Sequence, residues 1–172
     1  ATPLSIMKQA IKSGDASVLD RLPDFLSLFL GNHPDGAGAM GEICALALLL
    51  GLAYMLWKKI ITWHIPVSII VTVFVLAGLM HVVNPVYADP VSVVLSGGLM
   101  LGAIFMATDY VTSPMTHRGQ LIYGVAIGAL TVIIRNWGAY PEGMSFAILI
   151  MNAFTPLINN YVKPKRFGEV AK

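Results

Sequence analysis

A short polar break interrupts the most apolar part of the chain, between two runs, 91–107 and 119–134, that contain no charged residue. An acid and several hydroxyl groups cost free energy at membrane depth unless they face protein, water or a ligand. Pro114 disfavours a helical residue before it, so the chain must turn here. We therefore expect Asp109, with Thr112 and Ser113, to hold a ligand or an ion. The alternative is a turn in which Asp109 and Thr112 only cap the next helix. The break reads Thr108-Asp109-Tyr110-Val111-Thr112-Ser113-Pro114.

The composition is that of an integral membrane protein. Of the 172 residues, 56% are hydrophobic and 12% are charged, whereas soluble domains carry about 25% charged residues. The net charge of +2 is small and the basic residues are scattered, so nucleic acid is not an expected partner. The single cysteine, Cys44, and four histidines without paired ligand spacing predict no metal site. No phosphate-binding loop or HExxH motif occurs, and we expect no catalytic side chain.

The first 40 residues predict short helices at the membrane surface. Thr2 is a good N-cap, Pro3 suits the first helical position and Gly14 ends the helix. A second apolar segment, 22–30, is shorter than the roughly 20 residues that cross a bilayer, so we expect it to be interfacial or re-entrant. The apolar residues of the first helix share one face, with Lys8 and Lys12 elsewhere: Leu4, Met7, Ala10 and Ile11.

The remaining sequence predicts an all-α, polytopic transmembrane fold with about five spanning helices. We divide the chain into an extracytoplasmic segment (1–40), a five-helix transmembrane repeat (41–163) and a cytoplasmic tail (164–172). The absence of an initiator Met before Ala1 leads us to expect a part of a longer product. The predicted spans are about 41–57, 65–83, 91–108, 119–137 and 143–162.

Lysine and arginine positions predict the orientation of these spans. Basic groups follow the first and fifth spans and precede the fourth, and an odd number of spans places all three groups on one side. We expect that side, with the C-terminus, to be cytoplasmic. Residues 1–40 then lie outside, despite their own basic residues. The groups are Lys58 and Lys59, His117 and Arg118, and Lys163, Lys165 and Arg166.

Small and amide residues inside the spans suggest how the helices interact. Glycines four residues apart, Gly98 with Gly102 and Gly124 with Gly128, favour close helix packing over a flat ligand on a glycine face. Pro156 frees a backbone carbonyl in the fifth span, where nearby amides such as Asn152 can bind it. Asp109 and Asn152 are our candidates for an ion path. A kinked helix that only packs is the alternative.

Several segments in combination resemble the D subunit of the Rnf ion-translocating electron transport complex. The similarity covers essentially the whole chain, and a more distant one is to the B subunit of the sodium-pumping NADH:quinone oxidoreductase. The segments are Gly31-Asn32, Gly41-Glu42, Ala45-Leu46-Ala47, 106–114, Arg118-Gly119, Ile122-Tyr123-Gly124, Ile134-Arg135, Tyr140-Pro141-Glu142-Gly143, Ala147-Ile148-Leu149 and Met151-Asn152-Ala153.

The resemblance implies a covalent flavin. In that family the Thr of a Ser-Gly-Ala-Thr motif carries FMN through a phosphoester bond, and Ala1-Thr2-Pro3-Leu4 matches the end of this motif. Thr2 is thereby implied as the site of covalent FMN, and a second flavin such as riboflavin is a further candidate cofactor. Asp109, Thr112 and Ser113 are further candidates for flavin contact.

The resemblance also implies a setting for the chain. The implied complex is a redox-driven ion translocase of the ferredoxin:NAD+ oxidoreductase type in the bacterial inner membrane. Its electron transfer would be coupled to the transport of Na+ or H+, and no activity is expected of this chain alone. Other subunits of the complex are implied partners, especially the FMN-bearing G subunit. The D subunit is similar to transporters built from two inverted repeats, and this chain would be mainly the second repeat. The competing hypotheses are a cofactor-free secondary transporter or channel and a purely structural membrane protein of the complex.

Overall fold

The computed structural model describes residues 2–31 and 44–163, and every regular element in these ranges is helical. This confirms the predicted all-α class. The loop predicted around His33, the first span's start at Gly41-Glu42 and the tail 164–172 lie outside the described residues. The elements are α1 (Pro3–Ser13), a 3₁₀ helix (Ala16–Arg21), α2 (Phe25–Leu30), α3 (Ala45–Trp57), α4 (His64–Val83), α5 (Pro90–Leu95), α6 (Leu99–Leu101), a π-helical segment (Gly102–Met106), α7 (His117–Trp137) and α8 (Met144–Tyr161).

Helix α1 forms as its capping residues predict. Thr2 is the N-cap with an extended backbone, and Pro3 takes the first helical position. Gly14 ends the helix with a φ of 70°, a left-handed conformation that favours glycine. Met7 and Ala10 are buried, as the predicted apolar face requires.

Two helices in the described ranges are long and apolar enough to cross a bilayer. These are α4 with 20 residues and α7 with 21. The fourth and fifth predicted spans correspond to α7 and to α8, which has 18 residues and contains Pro156. The first predicted span is described only as the 13-residue α3. The count of five spans therefore stays a prediction.

The third predicted span is wrong as a single helix over 91–108. Helix α5 ends before Ser96, whose backbone is extended, and Gly97 has a φ of 68°. The chain becomes helical again only at Leu99. The uniform hydropathy of this run hid the break, because Ser96-Gly97-Gly98 introduces no charge and its effect is on backbone conformation.

Helices α4 and α7 pack with their backbones close together. A Cβ atom on Gly124 would overlap the Ser68 hydroxyl, and one on Gly128 would lie 2.8 Å from Thr72 Cβ. This confirms the packing interpretation of these two glycines. The buried core lies between α4, α7, α8 and the π-helical segment, and includes Ile69, Val73, Leu99, Ala103, Ile104, Tyr123, Ile127, Ala147 and Ile148.

The loops gather at two ends of the helical bundle. At one end, Lys8 of α1 donates to the carbonyls of Gly138 and Tyr140 in the α7–α8 loop. We call this the break end; it comprises α1, residues 96–98 and residues 138–143. At the other end, residues 58–63 meet residues 107–116, and the Tyr110 hydroxyl donates to the Ile60 carbonyl. We call this the turn end. Which end faces the cytoplasm stays a prediction.

Candidate functional site

Thr2 is exposed at the start of α1, and its hydroxyl takes part in the helix cap. Thr2 Oγ1 accepts a hydrogen bond from the Ser5 N–H at 3.3 Å, and Ser5 Oγ donates to the Thr2 carbonyl at 2.7 Å. In this cap the Thr2 oxygen is an acceptor, so an ester at that oxygen leaves the interaction in place. The N–H groups and dipole of a helix N-terminus favour negative charge. The site therefore fits a phosphoryl group.

Arg135 binds the end of the interrupted helix α5. Its side chain is only 6% exposed, and its guanidinium donates to the carbonyls of Val93 at 2.9 Å and Ser96 at 3.2 Å. These carbonyls belong to the C-terminal turn of α5, where a cation is electrostatically favoured. Arg135 also forms an ion pair with Glu142 at 3.3 Å.

Glu142 binds the opposite side of the same break. Its Oε2 accepts from the Gly98 N–H at 3.1 Å, just before α6, and its Oε1 accepts from the Met144 N–H at 3.4 Å, at the start of α8. Helix N-terminal N–H groups lack partners inside the helix, and a carboxylate satisfies them. The ion pair thus satisfies polar backbone groups at three helix ends.

The cluster of Arg135 and Glu142 is not predicted by the sequence patterns above. Both residues belong to segments that carry the family resemblance. The signal that could have found it was the combination of Ser96-Gly97-Gly98 inside an apolar run with an acid and a base seven residues apart at the end of the next span. Broken helices in membranes require partners for their free backbone groups.

Helix α1 lies directly on the break. The space where a side chain on Gly97 would stand is filled by Leu4 of α1 and by the Glu142 carboxylate. Lys8, one turn after Leu4, donates to Gly138 O at 2.5 Å and Tyr140 O at 2.8 Å. Lys8 is predicted from the sequence to lie off the apolar face of α1, whereas its ammonium group is bound to the bundle.

The polar turn at the other end is organised around Asp109. This residue is exposed, and its Oδ2 accepts from the Thr112 hydroxyl at 3.2 Å. The Asp109 carbonyl accepts from the Ser113 N–H at 3.1 Å. Helix α7 is capped instead by Thr116, whose Oγ1 accepts from the Gly119 N–H at 3.1 Å. The alternative in which Asp109 and Thr112 cap that helix is therefore wrong, and their role in ligand or ion binding stays a prediction.

Asn152 of α8 forms a hydrogen bond with a residue of α7. Its Oδ1 accepts a hydrogen bond from the hydroxyl of Tyr123, a fully buried residue, at 2.5 Å. The ion path through Asp109 and Asn152 stays a prediction.

Thr2 and Asp109 belong to different sites. Thr2 lies with α1 at the break end and Asp109 lies at the turn end, with the 21 residues of α7 between these ends. At 1.5 Å per residue this separation is about 30 Å, similar to the apolar thickness of a bilayer. Asp109, Thr112 and Ser113 therefore do not line the site at which Thr2 stands.

Within residues 2–31 and 44–163, no group of three or more His, Cys, Asp or Glu side chains is placed to hold a metal ion.

Comparison with known proteins places this architecture in a family. The model of the NQR2, RnfD, RnfE family matches residues 1–168. The chain belongs to this family. It is 45% identical over 168 residues to the D subunit of the Na+-translocating ferredoxin:NAD+ oxidoreductase complex of Acetobacterium woodii, a match that covers 98% of this chain and 48% of that protein.

Two further relatives support the same assignment. The chain is 42% identical to the D subunit of the proton-translocating ferredoxin:NAD+ oxidoreductase complex of Clostridium ljungdahlii, over 98% of the chain and 50% of the relative. It is 40% identical to the D subunit of the ion-translocating oxidoreductase complex of Stutzerimonas stutzeri, over 100% of the chain and 49% of that relative. These matches confirm the predicted resemblance to the D subunit. The chain spans about half the length of these NQR2, RnfD, RnfE family relatives.

Proposed function

We propose that the chain is part of a D subunit that carries covalent FMN on Thr2 in an ion-translocating electron transport complex. The observation that carries the proposal is the exposed Thr2 hydroxyl at the N-terminus of α1, in a chain related to D subunits along its length. The complex is of the ferredoxin:NAD+ oxidoreductase type in the bacterial inner membrane. The FMN-bearing G subunit is the proposed partner at the break end, which the proposed orientation places outside.

The residues of this chain hold and orient the cofactor, and the bound FMN supplies the redox chemistry. The N-terminal turn of α1 stabilises the phosphoryl charge on Thr2. The Ser5 N–H, which donates to Thr2 Oγ1, fixes the direction of that oxygen. The contacts of Leu4 and Lys8 with the break end then set the position of α1 on the bundle.

The transported ion is proposed as Na+ or H+. Relatives of 45% and 42% identity are named for sodium and for proton translocation respectively, so overall similarity does not decide between these ions. Asp109 and Asn152 are the proposed path residues, because carboxylate and amide oxygens bind hard cations. A carboxylate also takes up a proton.

A cofactor-free transporter is less well supported. Transporters use the ends of broken helices to bind substrate and ions, and this chain has such a break between α5 and α6. Here the ends of the break are bound by Arg135 and Glu142 of the chain itself. The break therefore serves the packing of the bundle.

Flavin attachment is tested by Thr2→Asn in the assembled complex. Asn caps a helix about as well as Thr but has no hydroxyl for a phosphoester. We expect in-gel flavin fluorescence of the denatured chain to disappear while assembly continues. Ser5→Ala is the matched control, because it removes a hydroxyl in the same turn and should leave the fluorescent band. Mass spectrometry of the peptide that contains Thr2 identifies the linkage.

The alternatives give different results. A fluorescent band that persists in Thr2→Asn contradicts the assignment of Thr2. Wild-type protein that shows no covalent flavin in a complex active in electron transfer contradicts the proposed cofactor.

A further inference from the structure

Lys8 makes a specific contact between α1 and the bundle. Its Nζ donates to two carbonyls, Gly138 O at 2.5 Å and Tyr140 O at 2.8 Å. Gly138 directly follows α7, whose last carbonyl groups have no partner within the helix. A lysine ammonium close to a helix C-terminus binds such carbonyls and interacts favourably with the helix dipole.

The surroundings of Lys8 distinguish it from the other lysine of the same helix. Lys8 is half-buried, whereas Lys12 is exposed. Burial lowers the pKa of Lys8 below its ordinary value, and the charge of Lys12 lowers it further. An ammonium group that loses hydration needs compensating hydrogen bonds, and the two carbonyls supply them. The contact is therefore directed, unlike that of a lysine in solvent.

An apolar contact supports the same arrangement one turn earlier. Leu4 fills the space above Gly97, where the break has no side chain. Leu4, Lys8 and Ile11 follow at helical spacing and, with Arg135, line a cavity of about 40 Å³ between α1 and the bundle. The docking of α1 thus combines the Leu4 contact and the buried Met7 and Ala10 with one cation, Lys8.

We propose that Lys8 is a positioning residue that fixes the Thr2 end of α1 on the break end and thereby sets the location of the group attached there. The inference rests on the proposed flavin at Thr2. Thr2 and Lys8 are six residues apart on a single helix, about 9 Å at 1.5 Å per residue. Release of Lys8 would let α1 pivot and move the flavin relative to its redox partners. Electron transfer slows steeply with separation.

The test compares Lys8→Met, Lys12→Met and Lys8→Arg in the assembled complex. Lys8→Met keeps the length of the side chain and removes its charge and donors. Lys12→Met makes the same chemical change at an exposed position of the same helix. Lys8→Arg keeps the charge and donors and should restore function. Yield of assembled complex is measured for every variant.

Two readouts separate docking from flavin chemistry. The first is the mobility of a nitroxide on Gln9→Cys, an exposed position of α1, in a Cys44→Ser background. In Lys8→Met, the loss of a hydrogen bond from a charged group should raise the mobile fraction of the nitroxide about tenfold. The second is the rate of electron transfer through the covalent flavin, which should fall in Lys8→Met and recover in Lys8→Arg. The Lys12→Met variant should match wild type in both.

Each result bears on a defined part of the inference. Equal nitroxide mobility in Lys8→Met and Lys12→Met overturns the docking role. Raised mobility with an unchanged electron transfer rate overturns the positioning role. If Thr2 carries no flavin, wild-type protein already lacks the fluorescent band. The nitroxide comparison then still shows whether Lys8 docks α1.

Discussion

The two ends of the bundle treat their polar groups differently. At the break end, Arg135 is buried and, with Glu142, satisfies backbone groups of α5, α6 and α8. At the turn end, Asp109 is exposed and its carboxylate binds only a neighbouring hydroxyl, that of Thr112, among the contacts of the described residues. A group enclosed by partners specifies structure. A group with remaining capacity is available to a ligand or an ion.

This difference separates polar residues that look alike in the sequence. Arg135, Glu142 and Asp109 are all charged residues beside apolar runs, and the general expectation for such residues is a functional site. The structure shows that the first two are bound within the fold. The comparison predicts that variants at the break end affect stability and that variants at the turn end affect transport.

Arg135→Met should have the largest effect on stability. It leaves Glu142 without its cation and leaves the Val93 and Ser96 carbonyls without their donor. Removal of one partner of a buried ion pair costs about 3–5 kcal/mol, and the value here should lie near the lower limit because Glu142 is 34% exposed. Thermal unfolding in detergent and the yield of assembled complex measure the effect.

Arg118→Met is the control for that variant, because Arg118 is exposed at the start of α7. It should leave the unfolding temperature close to wild type. Equal unfolding temperatures for the two variants would show that the Arg135 contacts are not needed for stability, and the contrast between the ends would fail.

Gly97→Ala should have the second-largest effect. An alanine at a φ of 68° is strained by about 1–2 kcal/mol, and its Cβ would also overlap Leu4 and the Glu142 carboxylate. Gly14→Ala is a matched control, because Gly14 has a φ of 70° and nothing lies within 4 Å of its Cβ position. The difference in unfolding free energy between the variants isolates the packing of α1 on the break. No difference would show that Leu4 does not seat there.

Asp109→Asn should have the smallest effect on stability and a measurable effect on function. Asn keeps the acceptor for Thr112 and removes the charge, so the unfolding temperature should change little. If Asp109 binds the transported cation, the Na+ or pH dependence of transport in reconstituted vesicles should shift. If it contacts a second flavin, electron transfer should be slower at every ion concentration. Wild-type rates with wild-type ion dependence would leave residues 108–114 as a turn without a transport role.

Local signals in the sequence predicted several elements correctly. Thr2, Pro3 and Gly14 define α1 because capping depends on residues within one turn. The spans near α4 and α7 follow from long apolar runs, and their contact follows from Gly124 and Gly128. These features depend on neighbours along the chain or on one helical spacing.

The remaining features depend on contacts between distant residues. Hydropathy alone gave 91–108 as one helix, because the break at Gly97 is conformational and carries no charge. The partners of Lys8 lie 130 and 132 residues away, and no spacing rule connects them. Lys8 also conflicted with the predicted placement of residues 1–40 on the outer side. Its use as a cap for α7 gives that charge a structural reason.

The π-helical segment Gly102–Met106 holds one residue more per turn than an α-helix, just before Asp109. The Ala107 N–H donates to the Gly102 carbonyl at 2.8 Å, five residues back and one more than in an α-helix. Each residue of an α-helix turns the chain by about 100°. The wider π turn takes up the rotation that one further α-helical residue would add. A chain one residue shorter between Leu99 and Thr108 could therefore form a plain helix with Asp109 on nearly the same side. The direction of the carboxylate is thus set by the type of helical turn before it as well as by residue identity.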